Sequence, residues 1–538
     1  MTRLLWFTLP LCRACSFIVA NYDLAASHSR DELAHANFFN RLRGPDGTNS
    51  RAFKGWSFLH NLLSMTGAFT LQPFASADGE VVAVFNGEIY NYKDLEAELA
   101  VGTFASDGYA LLPAYARWGN DFVSRLKGEF AVVLVDFRAG TVLLGTDAFS
   151  TKPLWWAAWT ASDGTARFLC ASYESVLTRL GAPASARAMA EPNEALLLRI
   201  APTASSPFAV LRRSPVVVWD LTQHKTHTRD WERAFRRAVR TRTASLKHRV
   251  FIGLSSGYDS GAVMLALHRQ RQAFLAYNIP GGEPTDVVDA RIKYCSDQSG
   301  AHGHGSGAAG VGAPRGRSDA AAAQPNASAT PALFEAVVLP GAKRSMSSER
   351  AWLQQHCEPM SFASTSPTTG NGAWVPCEDG GAQGLSFILR HVRQQGGLIY
   401  LSGSGADEII SDYSRNGTKL YCHSCFNGRF PANLSALWPQ WTSRKCAFYY
   451  GTQRMYLMKE ELTGGAHGIE ARYPFLDPEV VQEYLWLTHD VKNSEYKRPV
   501  ADFLRRHDFP NFWGKKVGFG PTATKKGEPA RLARGGCY

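Results

Sequence analysis

The sequence predicts two domains, an α+β domain of packed sheets followed by an α/β nucleotide-binding domain. The chain has 538 residues, which is several times the usual length of one domain. Residues 15–201 contain alternating or continuous apolar runs between Gly and Asn turns, a pattern typical of β-strands. Residues 250–272 then read as an apolar strand, a small-residue loop and a helix, which is the first step of a nucleotide-binding sheet.

Composition narrows the class of protein. Hydrophobic residues make up 45% of the chain and charged residues 20%, which is typical of a folded globular protein. No segment has the roughly 18 to 20 apolar residues of a membrane helix. The net charge of +11 is spread along the chain, so it suits a polyanionic ligand and leaves nucleotide and nucleic acid equally open.

The ten cysteines are dispersed along the chain, which predicts reduced thiols rather than a disulfide framework. Cys422 and Cys425 form a CxxC pair, for which His423 and Cys446 would complete only an improvised zinc set. We therefore expect ordinary semi-buried thiols there.

Shifts in composition predict the segment boundaries. Residues 1–14 have a basic start and a short apolar run, so a signal peptide, a propeptide and a wrongly assigned start codon stay open. A tract of Gly, Ala, Ser, His and Pro is too poor in apolar residues to build a core. The predicted segments are an uncertain leader over 1–14, the first domain over 15–201, a linker over 202–225, the second domain over 226–520 with a low-complexity insertion at 299–330, and a basic tail over 521–538.

Two loops of the second domain are candidates for binding phosphate and metal. Ser255–Ser260 follows the strand that ends at Leu254 and precedes a helix, where backbone N–H groups favour an anion. A helix cap is the alternative. No G-x-x-x-x-G-K-[ST] motif occurs. Ser402–Glu408 follows a second apolar strand, and each loop contains an acid, Asp259 or Asp407. Because ligands bind beyond the carboxyl ends of such strands, the loops predict a shared cleft for a metal and a nucleotide.

The first domain contains Asn86-Gly87-Glu88 within an FNGEIYN segment. Taken alone, this segment predicts an Asn-Gly hairpin turn between two strands. The functional alternative is an exposed amide and a Gly N–H that stabilise an oxyanion, with a carboxylate nearby to bind a substrate amine.

Seven motifs together resemble those of the glutamine-dependent asparagine synthetases, in the same order and over roughly residues 15–520. They are RGPD at 43–46, NGEIYN at 86–91, SDG at 106–108, GTD with KPL at 145–154, SSGYDS at 255–260, SGSGADE at 402–408 and GIEARYPFLD at 468–477. The resemblance implies an N-terminal-nucleophile glutaminase of packed antiparallel sheets, joined to an ATP-pyrophosphatase domain with a parallel sheet. It also implies that ammonia released in the first domain reacts in the second with an adenylated carboxylate.

The resemblance assigns roles residue by residue. Cys15 would be the nucleophile, with its own free α-amino group as the base. Asn86 and Gly87 would form the oxyanion hole, and Glu88 and Asp107 would bind the amino group of glutamine. The remaining roles are ATP and pyrophosphate binding by Leu254, Ser255, Gly257, Asp259, Ser260, Ser402 and Gly403, Mg²⁺ ligation by Asp259 and Asp407, and stabilisation of charge on the reacting phosphorus by Lys497.

Several positions depart from the family pattern. Cys15 follows 14 residues rather than the initiator Met, so its amine is free only if those residues are removed or never made. Leu62 stands where the family has an Arg that pairs with the glutamine carboxylate, which predicts weak binding of glutamine. Ser404 replaces a Glu close to the acceptor, and Ser256 replaces a Gly of the pyrophosphate loop.

The sequence therefore predicts a glutamine-hydrolysing, ATP- and Mg²⁺-dependent amide ligase with L-aspartate as the default acceptor. A ligase of the same architecture for another carboxylate, and a degenerate homologue with a binding role, are the alternatives. We expect small-molecule substrates only, without a membrane or nucleic-acid partner, and a homodimer is one option. The expected location is the cytoplasm, or an organelle if residues 1–14 are a targeting segment.

Overall fold

A computed structural model describes most of the chain. The described residues are 15–65, 67–203, 206–244, 246–281, 283–299, 334–339, 343–359, 376–415, 418–419 and 424–513. The leader over 1–14 and the tail over 521–538 lie outside these residues, as does the insertion predicted over 299–330 except for Ser299, the last residue of a helix. Within the described parts of the chain, no helix has the length and apolar character needed to cross a bilayer.

Two six-stranded antiparallel sheets form the N-terminal part of the protein. The first sheet has the strand order β10-β8-β9-β1-β3-β2 and the second β12-β11-β7-β6-β5-β4. In chain order the strands are β1 (Ser16–Ala20), β2 (Gly47–Phe53), β3 (Trp56–Leu62), β4 (Phe74–Ala75), β5 (Val81–Ile89), β6 (Gly128–Asp136), β7 (Thr141–Thr146), β8 (Trp155–Thr160), β9 (Ala166–Ala171), β10 (Arg187–Met189), β11 (Glu194–Thr203) and β12 (Ser206–Pro215).

The two sheets pack face to face because alternate side chains of each strand are apolar. Phe17 and Val19 of β1 share one buried core with Val84 of β5 and Val133 of β6. On the outer face of the second sheet, a separate core joins the opposite residues of β5 and β6 to short helices. Packed antiparallel sheets are therefore confirmed for this part of the chain.

A five-stranded, wholly parallel sheet follows, with the order β15-β14-β13-β16-β19. The predicted parallel sheet is confirmed. Its strands are β13 (Arg249–Gly253), β14 (Phe274–Asn278), β15 (Phe334–Val338), β16 (Gly397–Leu401) and β19 (Glu470–Arg472), and a short ribbon is formed by β17 (Ser414–Arg415) and β18 (Thr418–Lys419).

Helices cover the sheets and connect their strands. They are α1 (Leu24–Ser27), α2 (Arg30–Ala36), α3 (Phe38–Arg43), α4 (Tyr92–Leu99), α5 (Leu111–Trp118), α6 (Glu174–Arg179), α7 (Arg229–Arg242), α8 (Tyr258–Arg269), α9 (Thr285–Ser299), α10 (Lys343–His356), α11 (Gly380–Gln394), α12 (Leu434–Trp441), α13 (Gly451–His467), α14 (Pro478–Leu485), α15 (His489–Asn493) and α16 (Arg498–Arg505). Short 3₁₀-helical segments occur at 107–110, 119–125, 184–186, 376–378 and 474–476, and a π-helical turn at 406–411.

The structure differs from the sequence predictions in the linker and in the state of two cysteines. The linker predicted over 202–225 contains strand β12, which pairs with β11 at the edge of the second sheet. Thr203 of β11 pairs with Ser206 of β12, so the first part of the predicted linker belongs to the second sheet. Cys425 and Cys446, predicted to be reduced, form a disulfide. The fold brings their two Cα atoms within 5.7 Å of each other, a usual separation for a disulfide. Their spacing of 21 residues in the sequence does not predict this contact.

A buried cluster of charges joins the antiparallel sheets to the parallel-sheet domain. The Glu461 carboxylate on α13 accepts hydrogen bonds from the Arg43 guanidinium, from Lys152 Nζ at 2.8 Å and from the Tyr473 hydroxyl at 2.9 Å. The side chains of Arg43, Lys152 and Glu461 are each only 1% exposed. Because one carboxylate faces two cations, the pKa of Glu461 is lowered despite the desolvation that would raise it.

We expect Glu461→Gln to destabilise the protein by about 3 to 5 kcal/mol, since it leaves two buried cations without a counter-ion. The wild-type contribution should be complete above the unfolded pKa of 4.5 and should be lost as the pH falls through the lower folded pKa. Denaturant unfolding at pH 7 and at acidic pH measures both effects.

Glu479→Gln is the matched control, because Glu479 pairs with Arg237 at a site where both side chains are about half exposed. Exposed pairs contribute roughly 1 kcal/mol or less. Equal losses for the two variants would contradict the structural role of the buried cluster.

Two candidate active sites

Cys15 lies immediately before β1, in the core between that strand and α3. Its Sγ accepts a hydrogen bond from Leu63 N at 3.1 Å and lies 3.4 Å from Leu63 O. Its carbonyl oxygen accepts from Arg43 Nε at 3.0 Å. Burial is the main cause of a raised pKa for the Cys15 thiol, and the nearby acids Glu470, Glu88 and Asp107 raise it further. The thiol is therefore protonated at rest and needs a base before it can act as a nucleophile.

Asn86 and Gly87 lie inside strand β5 rather than in a hairpin turn. Gly87 pairs with Phe130 of β6, which overturns the turn reading of this motif. Gly87 has φ +122°, and a Cβ at this position would lie 1.9 Å from Glu129 O. Only glycine fits there. Asn86 is buried, and its Nδ2 has no hydrogen-bond partner among the described residues, so this amide is available to a substrate oxygen.

The two acids predicted to bind glutamine are both buried near Cys15. Asp107 accepts hydrogen bonds from Ile89 N and Gly108 N, each at 2.9 Å. Desolvation outweighs these bonds and raises the pKa of Asp107 to about 7. Glu88 Oε1 lies 3.4 Å from Arg472 Nη2, which comes from β19 of the other domain. The negative charges of Glu88 and Asp107 thus both act on the Cys15 thiol.

The departure at Leu62 is close to the same site. Leu62 is the last residue of β3 and is buried, and it directly precedes the Leu63 backbone that contacts Cys15. An apolar side chain cannot form an ion pair with the carboxylate of a substrate. Weak binding of glutamine therefore stays a prediction.

The second site begins with the loop between β13 and α8. Ser255 Oγ and Ser260 Oγ lie 2.7 Å apart across the loop, and Ser256 N donates to Glu283 Oε2 at 2.6 Å. Gly257 precedes the first turn of α8, so the N-terminus of this helix faces the loop. This is the strand, loop and helix arrangement that the sequence predicts for 250–272, although the helix begins within the predicted loop, at Tyr258, and ends at Arg269.

Arg291 on α9 supports this loop, a role that sequence reasoning missed. Its guanidinium is fully buried and donates to the carbonyl oxygens of Ser255, Gly257 at 2.9 Å and Pro510 at 2.8 Å, and to Asn511 Oδ1 at 2.7 Å. Burial lowers the pKa of Arg291 to about 10. No motif surrounds this arginine, and its contacts span more than 200 residues of chain, so no local signal could have identified it.

Asp259, Asp407 and Lys497 converge at one point. Lys497 Nζ lies 2.7 Å from both Asp259 carboxylate oxygens and 2.9 Å from Asp407 Oδ1. Tyr496 donates its hydroxyl to Asp407 Oδ1 at 3.2 Å. The two carboxylates raise the pKa of the buried Lys497 well above its ordinary value, so this lysine is charged throughout the physiological range.

A cavity of about 350 Å³ opens beside these residues. Ser255–Ser260 and the start of the 402–408 loop form part of its wall, and Gly403 packs so closely that a Cβ there would lie 2.9 Å from Asp259 Cβ. Ile252, Val263, Leu385 and Ile388 form an apolar wall. All of the predicted nucleotide-site residues line this cavity, namely Leu254, Ser255, Gly257, Asp259, Ser260, Ser402, Gly403 and Asp407.

The residues present fit a magnesium ion. Asp259 and Asp407 supply carboxylate oxygens, the ligand type that Mg²⁺ prefers, and both approach one cationic atom within 3 Å. Among the residues that the structure describes, no three His, Cys, Asp or Glu side chains gather into a metal-binding group. A site of two carboxylates would be completed by substrate phosphates and water, as is common for Mg²⁺.

Part of the chain is similar to known proteins. Residues 15–232 match the glutamine amidotransferase domain family. The chain is 35% identical over 118 residues to asparagine synthetase (glutamine-hydrolyzing) 2 of Oryza sativa subsp. japonica, covering 21% of this chain and 20% of that protein. It is also 35% identical over 117 residues to asparagine synthetase (glutamine-hydrolyzing) 2 of Bacillus subtilis, covering 21% and 16%.

These matches span only part of each protein, because the aligned region is between 16% and 26% of the length of the relatives. A solved glutamine phosphoribosylpyrophosphate amidotransferase from B. subtilis has a TM-score of 0.30 and 12% identity, over 53% of this chain and 79% of its own. That likeness is too low to inform the fold. The family match and the named proteins nevertheless agree with the resemblance: residues 15–232 match a glutamine amidotransferase domain, and part of the chain is similar to glutamine-hydrolysing asparagine synthetases.

Proposed function

We propose that this protein is an ATP-dependent, glutamine-hydrolysing amide ligase of the asparagine synthetase type. The default reaction converts L-aspartate, L-glutamine, ATP and water into L-asparagine, L-glutamate, AMP and pyrophosphate. The observation that carries the proposal is the Lys497 ammonium held between Asp259 and Asp407 beside the Ser255–Ser260 loop and its cavity. A fixed cation and two carboxylates beside a helix N-terminus suit the transfer of a highly charged phosphate group.

In the proposed glutaminase step, the Cys15 thiolate attacks the side-chain amide carbon of glutamine, ammonia leaves, and water then hydrolyses the thioester to release glutamate. The free Asn86 Nδ2 and the Gly87 N–H stabilise the oxyanion, while Glu88 and Asp107 hold the substrate amino group. Because the thiol is buried and protonated at rest, a base must take its proton. A free α-amino group, whose unperturbed pKa is near ~8, would serve if Cys15 were the first residue.

In the proposed synthetase step, the acceptor carboxylate attacks the α-phosphorus of ATP and pyrophosphate leaves; ammonia then attacks the acyl carbon of the adenylate, and AMP leaves. Backbone N–H groups of the Ser255–Ser260 loop bind the phosphates, and Leu254 and Gly403 line the nucleotide cavity. When bound, Mg²⁺ would neutralise charge on pyrophosphate, with Asp259 and Asp407 as its protein ligands. Lys497 stabilises the charge that develops on the phosphate oxygens as the bond to pyrophosphate breaks.

The second candidate function is an amide ligase of the same architecture that acts on a carboxylate other than L-aspartate. Ser404, which stands where the family has a Glu, donates its hydroxyl to Glu460 at 3.0 Å within the cavity. The side chains that would face the acceptor therefore differ from those of the family pattern, which favours a different carboxylate. A cytoplasmic location and a homodimer stay predictions.

We expect Asp259→Asn and Asp407→Asn each to lower ATP-dependent AMP formation by at least about 100-fold, because each removes a charge that serves Mg²⁺ and the leaving group. Each isosteric change should leave the fold intact by circular dichroism. Asp490→Asn, at a largely exposed carboxylate of the same domain, is the control and should keep normal activity. Full pyrophosphate release by either cleft variant would reject the assignment.

Lys497→Ala should reduce kcat far more than it raises the KM for ATP, since a cation aimed at developing charge acts mainly in the transition state. Lys497→Arg keeps the charge and should recover part of the lost rate. Steady-state kinetics of AMP formation measures both parameters. An unchanged kcat with a raised KM would assign Lys497 to ground-state binding instead.

Removal of residues 1–14 should switch on glutamine hydrolysis. A protein that retains these residues has a peptide nitrogen at Cys15, which has no basicity comparable to an amine. It should use free ammonia but hydrolyse glutamine poorly, whereas a protein that begins at Cys15 should do both. Cys15→Ala in the shorter protein should lose only the glutaminase activity. Equal glutaminase rates for the two forms, with an intact N-terminus by mass spectrometry, would contradict the nucleophile assignment.

A further inference from the structure

Glu460 on α13 is a buried acid that the proposed mechanism does not use. Its side chain lines the same cavity as the Ser255–Ser260 loop, and the residue is only 9% exposed. Glu460 Oε1 accepts the Ser404 hydroxyl at 3.0 Å. Glu460 Oε2 has no hydrogen-bond partner among the described residues. One carboxylate oxygen at the cavity wall is therefore available to a ligand.

The protein does not supply a dedicated cation to this carboxylate. Lys459, the neighbouring cation, lies 3.6 Å from Asp379 Oδ1 and 4.1 Å from the centre of the Tyr456 ring. Desolvation is the main cause of a pKa of about 7 for Glu460, and the Ser402 and Ser404 hydroxyls together with the charge of Lys459 offset it only in part. The charged and titratable groups that act on it electrostatically are Lys459 and Glu461 of α13, Tyr400 of β16 and Tyr473 after β19.

The nucleotide does not account for such a group. A carboxylate repels phosphate, and the acids suited to Mg²⁺ are Asp259 and Asp407, which meet at Lys497. Neutral hydroxyl and amino groups of a nucleoside could accept or donate a hydrogen bond, but they do not offset the cost of burying a negative charge. A positively charged group of the remaining substrate would offset that cost.

We propose that Glu460 binds a protonated amino group of the acceptor, so that this cleft selects carboxylates that also carry an amine. The inference rests on the proposed function, because it names the chemical class of the acceptor. Ser404 orients the carboxylate through Oε1 and leaves Oε2 for the ammonium. Glu460 is thus a specificity-determining residue, and a substrate without the amine leaves its charge unpaired in the cavity.

The test compares acids that differ only in the amine. L-Aspartate and succinate, and L-glutamate and glutarate, are titrated by calorimetry into the full-length protein with Mg²⁺ and a non-hydrolysable ATP analogue. We expect the wild type to bind at least one amino acid about 30-fold more tightly than its amine-free counterpart. Glu460→Gln should remove most of this preference by weakening the amino acid alone. Ser404→Ala is the matched control, because it keeps the charge and should cost only a few-fold.

A second readout separates binding by Glu460 from a merely structural role. A nearby ammonium favours the ionised carboxylate, so binding of the amino acid at pH 7 should release protons from the wild type. Titrations in buffers of different ionisation enthalpy detect this release, and Glu460→Gln should abolish it. The variant keeps the size of the side chain, and its thermal unfolding shows whether it is folded.

Three results would overturn the inference. The first is a wild type that prefers neither amino acid over its amine-free partner. The second is a Glu460→Gln variant that weakens amino acid and diacid equally, which indicates a structural role. The third is a variant that weakens only the ATP analogue, which assigns Glu460 to the nucleotide. Failure of the proposed function looks different: the binding preference persists, but no acceptor supports AMP formation.

Discussion

The buried Glu461 carboxylate is the interaction on which the arrangement of the two domains depends. It holds Arg43 and Lys152 of the antiparallel-sheet domain from a helix of the parallel-sheet domain. Arg43 also donates to the carbonyl oxygen of Cys15, and Glu461 adjoins Glu460 in the nucleotide cavity. One ion cluster thus contacts the backbone of the candidate nucleophile and borders the candidate acceptor site. Its cost of desolvation is offset only while both domains are in place.

A second connection runs through β19. Arg472 Nη2 lies 3.4 Å from Glu88, one of the acids near Cys15. The carbonyl oxygen of the same residue accepts a hydrogen bond from Ser402 N at 2.9 Å, in the second loop of the nucleotide site. A single residue therefore lies within reach of both candidate sites. Because the core around Arg472 is closely packed, a displacement of its guanidinium near Glu88 would also move its carbonyl group near Ser402.

Sequence patterns predicted what is local, and they missed what depends on distant parts of the chain. Alternating apolar residues identified the antiparallel sheets, and small-residue loops after apolar strands identified the cleft of Asp259 and Asp407. Asn86 and Gly87 show the limit of local rules, since an Asn-Gly pair usually turns a hairpin but here lies within β5. Arg291, Glu460 and the disulfide between Cys425 and Cys446 have no sequence signature, because their partners meet only in the folded chain.

The clamp formed by Arg291 has a consequence for the order in which the protein is made. The Ser255–Ser260 loop is complete in sequence by residue 260, yet Arg291 also binds Pro510 and Asn511 near the end of the described chain. During synthesis the N-terminal segments emerge and fold first. A ribosome must therefore add a further 250 or so residues beyond this loop before the clamp can close. The growing chain assembles its antiparallel sheets early, and its candidate nucleotide site is finished last.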